Sequence, residues 1–233
     1  MAFFSGSLQG PLTHCDFAAY GTGFNQPTDL GGTIAMGVNP YILTPTSTSQ
    51  ASVSLGSMAD LSGTRVLVFA ADLFEDMELL YPVARLQEEG AAVTVAGLDD
   101  QPVHGKKGYG PLAVDTTVDQ VKESDFDGLV IPGGFAPDKL RRSETVLDLV
   151  RAFDTAGKPI AFICHAGWVP ISAKIVKGRR ATSVGAIRDD MVNAGVDWVD
   201  GAAVVDGNLI SARTPADLGP WMKALIAALA DGP

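Results

Sequence analysis

An apolar run of strand length, residues 160–163, stops abruptly at Cys164 and gives way at once to a helical pattern. No other stretch restricts the fold as much. The turn signal Gly157-Lys158-Pro159 precedes the run, and Val169, Ile171, Ala173 and Ile175-Val176 follow it, with Pro170 confined to a first helical turn. Strand, sharp turn and helix with a cysteine at the corner predict a side chain raised above the carboxyl edge of a parallel sheet, where α/β folds bind ligands. A thiol there is expected to feel the positive end of a helix, which favours thiolate, and His165 follows as base or imidazolium partner. The alternative is a small buried hydrophobe, as most free cysteines are.

The same alternation runs from Arg65 to the end. Residues 66–71 are continuously apolar, as in a strand covered on both faces. A helix is expected from 72 to 90, strands at 91–96 and 126–131, and an excursion around Val103 and Ala113 between them. A helix over 144–156 precedes the cysteine strand. A short strand at 181–183, a helix over 186–194, a hairpin turning at Asp206-Gly207-Asn208 and a closing helix over 215–230 complete the pattern. Strands alternating with helices predict an open, mostly parallel sheet wrapped on both faces.

Residues 1–57 are different. Their only charged side chains are Asp16 and Asp29, and Gly, Ser, Thr and Pro dominate, so poor order is expected. They offer neither a basic n-region nor an apolar run of signal-peptide type. The α/β domain is expected over 58–233, with Met58 as the working start and 1–57 as an upstream extension that is not part of the native protein. His14-Cys15-Asp16 is too short a cluster to read as a metal site.

Composition narrows the partners. A net charge of −10 argues against nucleic acid and anionic membranes, and no stretch reaches the length of a membrane span. Two cysteines provide no disulfide framework, which fits a reducing cytoplasm. No cofactor or metal motif is present, and there is no GxxxxGK phosphate loop.

Three strand ends carry candidate chemistry. Glu75 and Glu78, three apart, share one face of a helix start; Gly133-Gly134 ends the strand at 126–131; Cys164 ends the next. Glu78 is expected to contact the thiol as a desolvated, protonated acid, and the amides of Gly134 and His165 to form an oxyanion hole. Each has a plainer reading: helix-dipole carboxylates for the glutamates, an ordinary turn for Pro132-Gly133-Gly134, a solvated surface pair for Lys106-Lys107.

Seven segments in order resemble the PfpI family: 74–82, 105–109, 132–138, 163–168, 189–195, 204–208 and 213–218. The resemblance runs from about Leu61 to the end and implies a flavodoxin-like α/β sandwich, in the superfamily of the parkinsonism-associated deglycase and class I glutamine amidotransferases. It implies Cys164 as nucleophile, His165 as its base and Glu78 as the acid on the thiol. Gly133, Gly134, Glu75 and Lys106 make up the candidate oxyanion and substrate-binding set. Asp138 stands where peptidase-like members carry an acid that reaches from a neighbouring subunit to orient the histidine, which implies a homo-oligomer. Val184 replaces a tyrosine of the archaeal peptidase-type member, and Phe135 a polar or basic residue of some relatives.

The implied activity is a cysteine-nucleophile enzyme acting on reactive carbonyls, as glyoxalase or deglycase, or on peptides, in a stress-protective role. The alternative is a non-catalytic redox sensor or holdase oxidised at Cys164. An amidotransferase needs a later histidine, and His165 is the last in the chain.

Overall fold

The computed structural model describes residues 59–232; the expected extension 1–57 lies outside them. Seven strands form the central sheet: β1 (Arg65–Ala70), β2 (Ala92–Gly97), β3 (Thr116–Thr117), β4 (Gly128–Ile131), β5 (Ile160–Ile163), β8 (Val204–Asp206) and β9 (Leu209–Ala212). Their order is β3-β2-β1-β4-β5-β9-β8, and only β8 runs antiparallel. β6 (Arg180–Ala181) and β7 (Asp197–Trp198) make a separate parallel pair.

Every residue of β4 and β5 is buried, as is β1 after Arg65. These runs carry no alternation because helices cover both faces. α1 (Asp76–Glu88) joins β1 to β2 in one direction along the sheet; α2 (Ala136–Leu140) and α3 (Glu144–Thr155) join β4 to β5 in the other. Right-handed crossovers in opposite directions put their helices on opposite faces. The closing α6 (Leu218–Asp231) packs beside α1, and α4 (Trp168–Ala173) beside α3. The result is the expected three-layer sandwich. α5 (Arg188–Asn193) caps the small β6–β7 pair.

The chain leaves β1 for β2 and β3, then returns to place β4 on the other side of β1. That reversal opens a crevice outside the carboxyl ends of β1 and β4, next to β5. Register holds those ends level, with Val68 beside Val130, and Ile131 beside Phe162.

The predicted elements are present with shifted ends. The first helix begins at Asp76 rather than 72, because Phe74 is used as a bridge to Gly105 and Gly134 and Leu73 sits at φ 65°. The hairpin closes through Gly207 at φ 58°, a left-handed turn that suits glycine. The closing helix starts with a 3-10 turn, Pro215–Asp217. No helix among the described residues is long and apolar enough to cross a membrane.

Candidate active site

Cys164 leaves β5 at φ 63°, a left-handed conformation that a β-substituted residue holds only under constraint. The 3-10 turn Cys164–Gly167 leads directly into α4. This is the predicted nucleophile elbow. Close packing fixes it: a Cβ added at Gly167 would stand 2.8 Å from Met191 Sδ. The thiol is 6% exposed, and its Sγ lies 3.3 Å from His165 Nδ1.

The loops that end β1 and β4 are laced together by main chain. Glu75 N–H donates to the Gly133 carbonyl at 3.1 Å, and Phe135 N–H to the Leu73 carbonyl at 2.8 Å. Gly133 N–H donates to Glu78 Oε2 at 2.9 Å, which presents this buried acid to the crevice. Both glycines are required. A Cβ at Gly133 would collide with Glu78 Oε2 and with Cys164 Cβ at 2.7 Å; Gly134 sits at φ 85° with no room beside Glu75 N and Leu73 O.

One expectation is thereby corrected. Gly133 does not offer its amide to an oxyanion, because that amide already holds Glu78. The amides of His165 and Gly134 are the ones directed at the sulfur, where they favour its anion.

A second correction concerns the thiol. Burial and the facing charge of Glu78 push Cys164 up to about 12, against the smaller opposite pull of the two amides and of Lys106. Desolvation is the largest of these causes. The resting group at neutral pH is therefore the thiol. Glu78 itself is raised to about 7, first by desolvation and then by Glu75, so it reaches neutral pH substantially protonated, as expected. Its Oε1 is buried without a hydrogen-bond partner, an orphan that a proton aimed at sulfur would satisfy. Burial and Lys106 lower His165, leaving the neutral imidazole that can take the thiol proton.

Glu75 is not a substrate-binding group. Its Oε2 accepts from Glu78 N–H at 3.0 Å as the cap of α1, and its Oε1 pairs with Lys107 Nζ at 2.7 Å. Lys106 is exposed, and its charge reaches Cys164, Glu78 and His165 together, so it belongs to the site. Asp138 is exposed on α2 and pairs with Arg142 at 3.1 Å, making no contact with His165 within the chain.

One residue, Asp76, escaped the sequence reading. Asp76 accepts from the amides of Lys107 and Tyr109, both at 3.0 Å, and fills the space that a side chain at Gly105 would need. With the Glu75–Lys107 pair it pins the loop that carries Lys106. The signal was present as Gly105 facing an acid 29 positions earlier, but nothing in the sequence shows that contact. Among the described residues no three His, Cys, Asp or Glu side chains gather to hold a metal ion.

Comparison with known proteins identifies the family. Residues 64–228 match the DJ-1/PfpI family. The chain belongs to that family. Among DJ-1/PfpI relatives, Deglycase PfpI of Pyrococcus furiosus is 47% identical over 162 residues, 70% of this chain and 97% of its own length. Protein/nucleic acid deglycase 2 of Escherichia coli is 36% identical over 156 residues, covering 66% and 91%. The crystal structure of Drosophila melanogaster DJ-1beta superimposes with a TM-score of 0.68 at 33% identity, covering 72% of this chain and 90% of that one. The flavodoxin-like fold expected for the DJ-1/PfpI family is the fold observed.

Proposed function

We propose that this chain is a cysteine-dependent enzyme of deglycase type, acting on small reactive carbonyls such as α-oxoaldehydes and the adducts they form with amines. The observation that carries this is a buried thiol in contact with a neutral imidazole and facing an acid raised to about 7. The family relatives named as deglycases support the substrate class.

The thiol proton passes to His165 Nδ1 as Sγ adds to the aldehyde carbon. The oxygen anion of the resulting hemithioacetal takes hydrogen bonds from the amides of Gly134 and His165. With methylglyoxal, a proton then moves from the former aldehyde carbon to the neighbouring carbonyl carbon, whose oxygen takes the proton held on His165, giving a lactoyl thioester. Water hydrolyses that thioester to lactate and returns the thiol. Protonated Glu78 stabilises the sulfur-bound species without adding a second negative charge.

Peptide hydrolysis is the second reading, since the same groups suit a tetrahedral adduct; a thiol only 6% exposed favours the smaller substrate. A redox sensor is the third reading, and the imidazole 3.3 Å from the thiol favours the enzyme, since a sensor needs no proton acceptor beside its sulfur. Leu73, Tyr109 and Phe135 expose apolar surface on the loops around the crevice, and the thiol is the only polar partner of the His165 ring nitrogens among the described residues. Both features support assembly with a second copy whose Asp138 approaches His165.

The test is methylglyoxal consumption by the full chain and by Cys164→Ala, followed as lactate. Cysteine-dependent lactate formation is expected, with turnover lost in the variant; equal consumption by both proteins excludes the proposal.

A further inference from the structure

We propose that Trp168, tethered by Asp190, is a positioning residue that holds the His165 imidazole against the Cys164 thiol. The inference rests on His165 being the proton carrier of the proposed enzyme. It gives a role to Asp190, next to the Met191 that already packs against the elbow at Gly167.

His165 and Trp168 lie three apart in the turn that follows β5, a spacing that places both on one face. Their rings meet edge to face, with centroids 5.3 Å apart and planes at 60°. The bond to the thiol fixes one imidazole nitrogen but leaves the ring free to swing about it. The indole supplies the second point of contact.

The indole is itself held from two sides. Its Nε1–H donates to Asp190 Oδ2 at 2.8 Å, which ties it to α5. The Arg141 guanidinium stands 5.6 Å from the ring centroid, and Arg141 Nε–H donates to Ser172 Oγ at 2.9 Å. The two contacts come to the same ring from different elements, one from α5 and one from the end of α2.

A merely structural role predicts something different. Asp190 is exposed, so its hydrogen bond adds little to folding stability, and its loss would change neither melting temperature nor rate. A positioning role predicts an unchanged melting temperature with a slower chemical step.

The experiment compares Asp190→Ala, Asp190→Asn and Trp168→Phe with wild type in the full chain, reading methylglyoxal turnover and iodoacetamide alkylation of Cys164. Asp190→Ala and Trp168→Phe are expected to lower kcat by about tenfold with little change in KM, since displacing a proton carrier slows chemistry rather than binding. Asp190→Asn keeps an acceptor for the indole N–H and is expected to recover most of the rate. An Asp190→Ala variant at wild-type kcat overturns the proposal, as does an asparagine variant as slow as the alanine one. Should wild type and Cys164→Ala consume methylglyoxal equally, the enzyme reading fails separately. Alkylation then decides: a Cys164 thiol in Asp190→Ala that reacts at wild-type speed overturns the positioning role, and a slower one supports it.

Discussion

Two helix starts in this molecule bury an acid, and the two acids behave oppositely. At α1, Glu78 is fully buried beside Glu75 with no cation bonded to it, and desolvation raises it to about 7. At α6, Asp217 is 4% exposed, yet Arg213 grips both its oxygens at 2.8 and 2.9 Å, and its carboxyl is held below the ordinary value of 3.8. Burial alone does not set a carboxyl's charge; the partner does. The paired acid is spent on the fold, and the unpaired one remains available for chemistry.

The largest expected effect breaks the paired site. Arg213→Ala strands the Asp217 charge and should clearly lower stability at pH 7, because the acid stays buried after its partner is gone. Asp217 is depressed in the folded chain, so its stabilising pairing is present above pH 3.8 and lost as the pH falls below it. Denaturant unfolding of the variant should accordingly approach wild type near pH 3, and a pH-independent deficit would contradict the assignment.

The unpaired site should respond with the opposite sign. Glu78 is raised above its unfolded value, so the folded state holds more protons between about 4.5 and 7, and stability falls as pH rises through that window. Glu78→Gln keeps an acceptor for the Gly133 amide, and should be more stable than wild type by about 2 kcal/mol at pH 8 and equal to it at pH 4. In turnover, wild type should show a bell. Its rising limb belongs to His165, below the ordinary histidine value, and its falling limb lies near 7, as Glu78 ionises and opposes thiol deprotonation. The glutamine variant should lose the falling limb; a falling limb that stays near 7 would assign it to another group.

The smallest effect sharpens the comparison from Glu75. Lys107→Ala removes an exposed partner from a buried cap and should change stability only slightly. By leaving Glu75 less compensated it should also shift the falling limb upward, which a pH profile would detect.

Much of this architecture was legible in the sequence. Apolar runs mark β1, β4 and β5, and the break at Cys164 marks the elbow. β3 and β7 have two residues each, too few for any period, and Pro137 in the first turn of the five-residue α2 hides that helix in what reads as a turn. In the site, Cys164, His165, Glu78 and Gly134 were named from strand ends and from family resemblance. The cap by Glu75 is local and matches the plainer helix-start reading of that carboxylate, whereas the use of Gly133's amide and the grip of Asp76 on residues 31 and 33 positions away depend on how loops dock. The thiol's direction of shift was misjudged because a helix start is visible in sequence and desolvation is not.

The Gly133–Gly134 peptide has a consequence for how such a site diverges. Its successive N–H groups engage the acid and the sulfur, and the Gly133 carbonyl locks the strand end that carries the acid. The spacing between proton donor and nucleophile is thus a length of main chain, a ruler that side-chain substitution does not reset. An exposed position such as Phe135 is free to drift and retune what enters, while the reacting pair keeps its gauge.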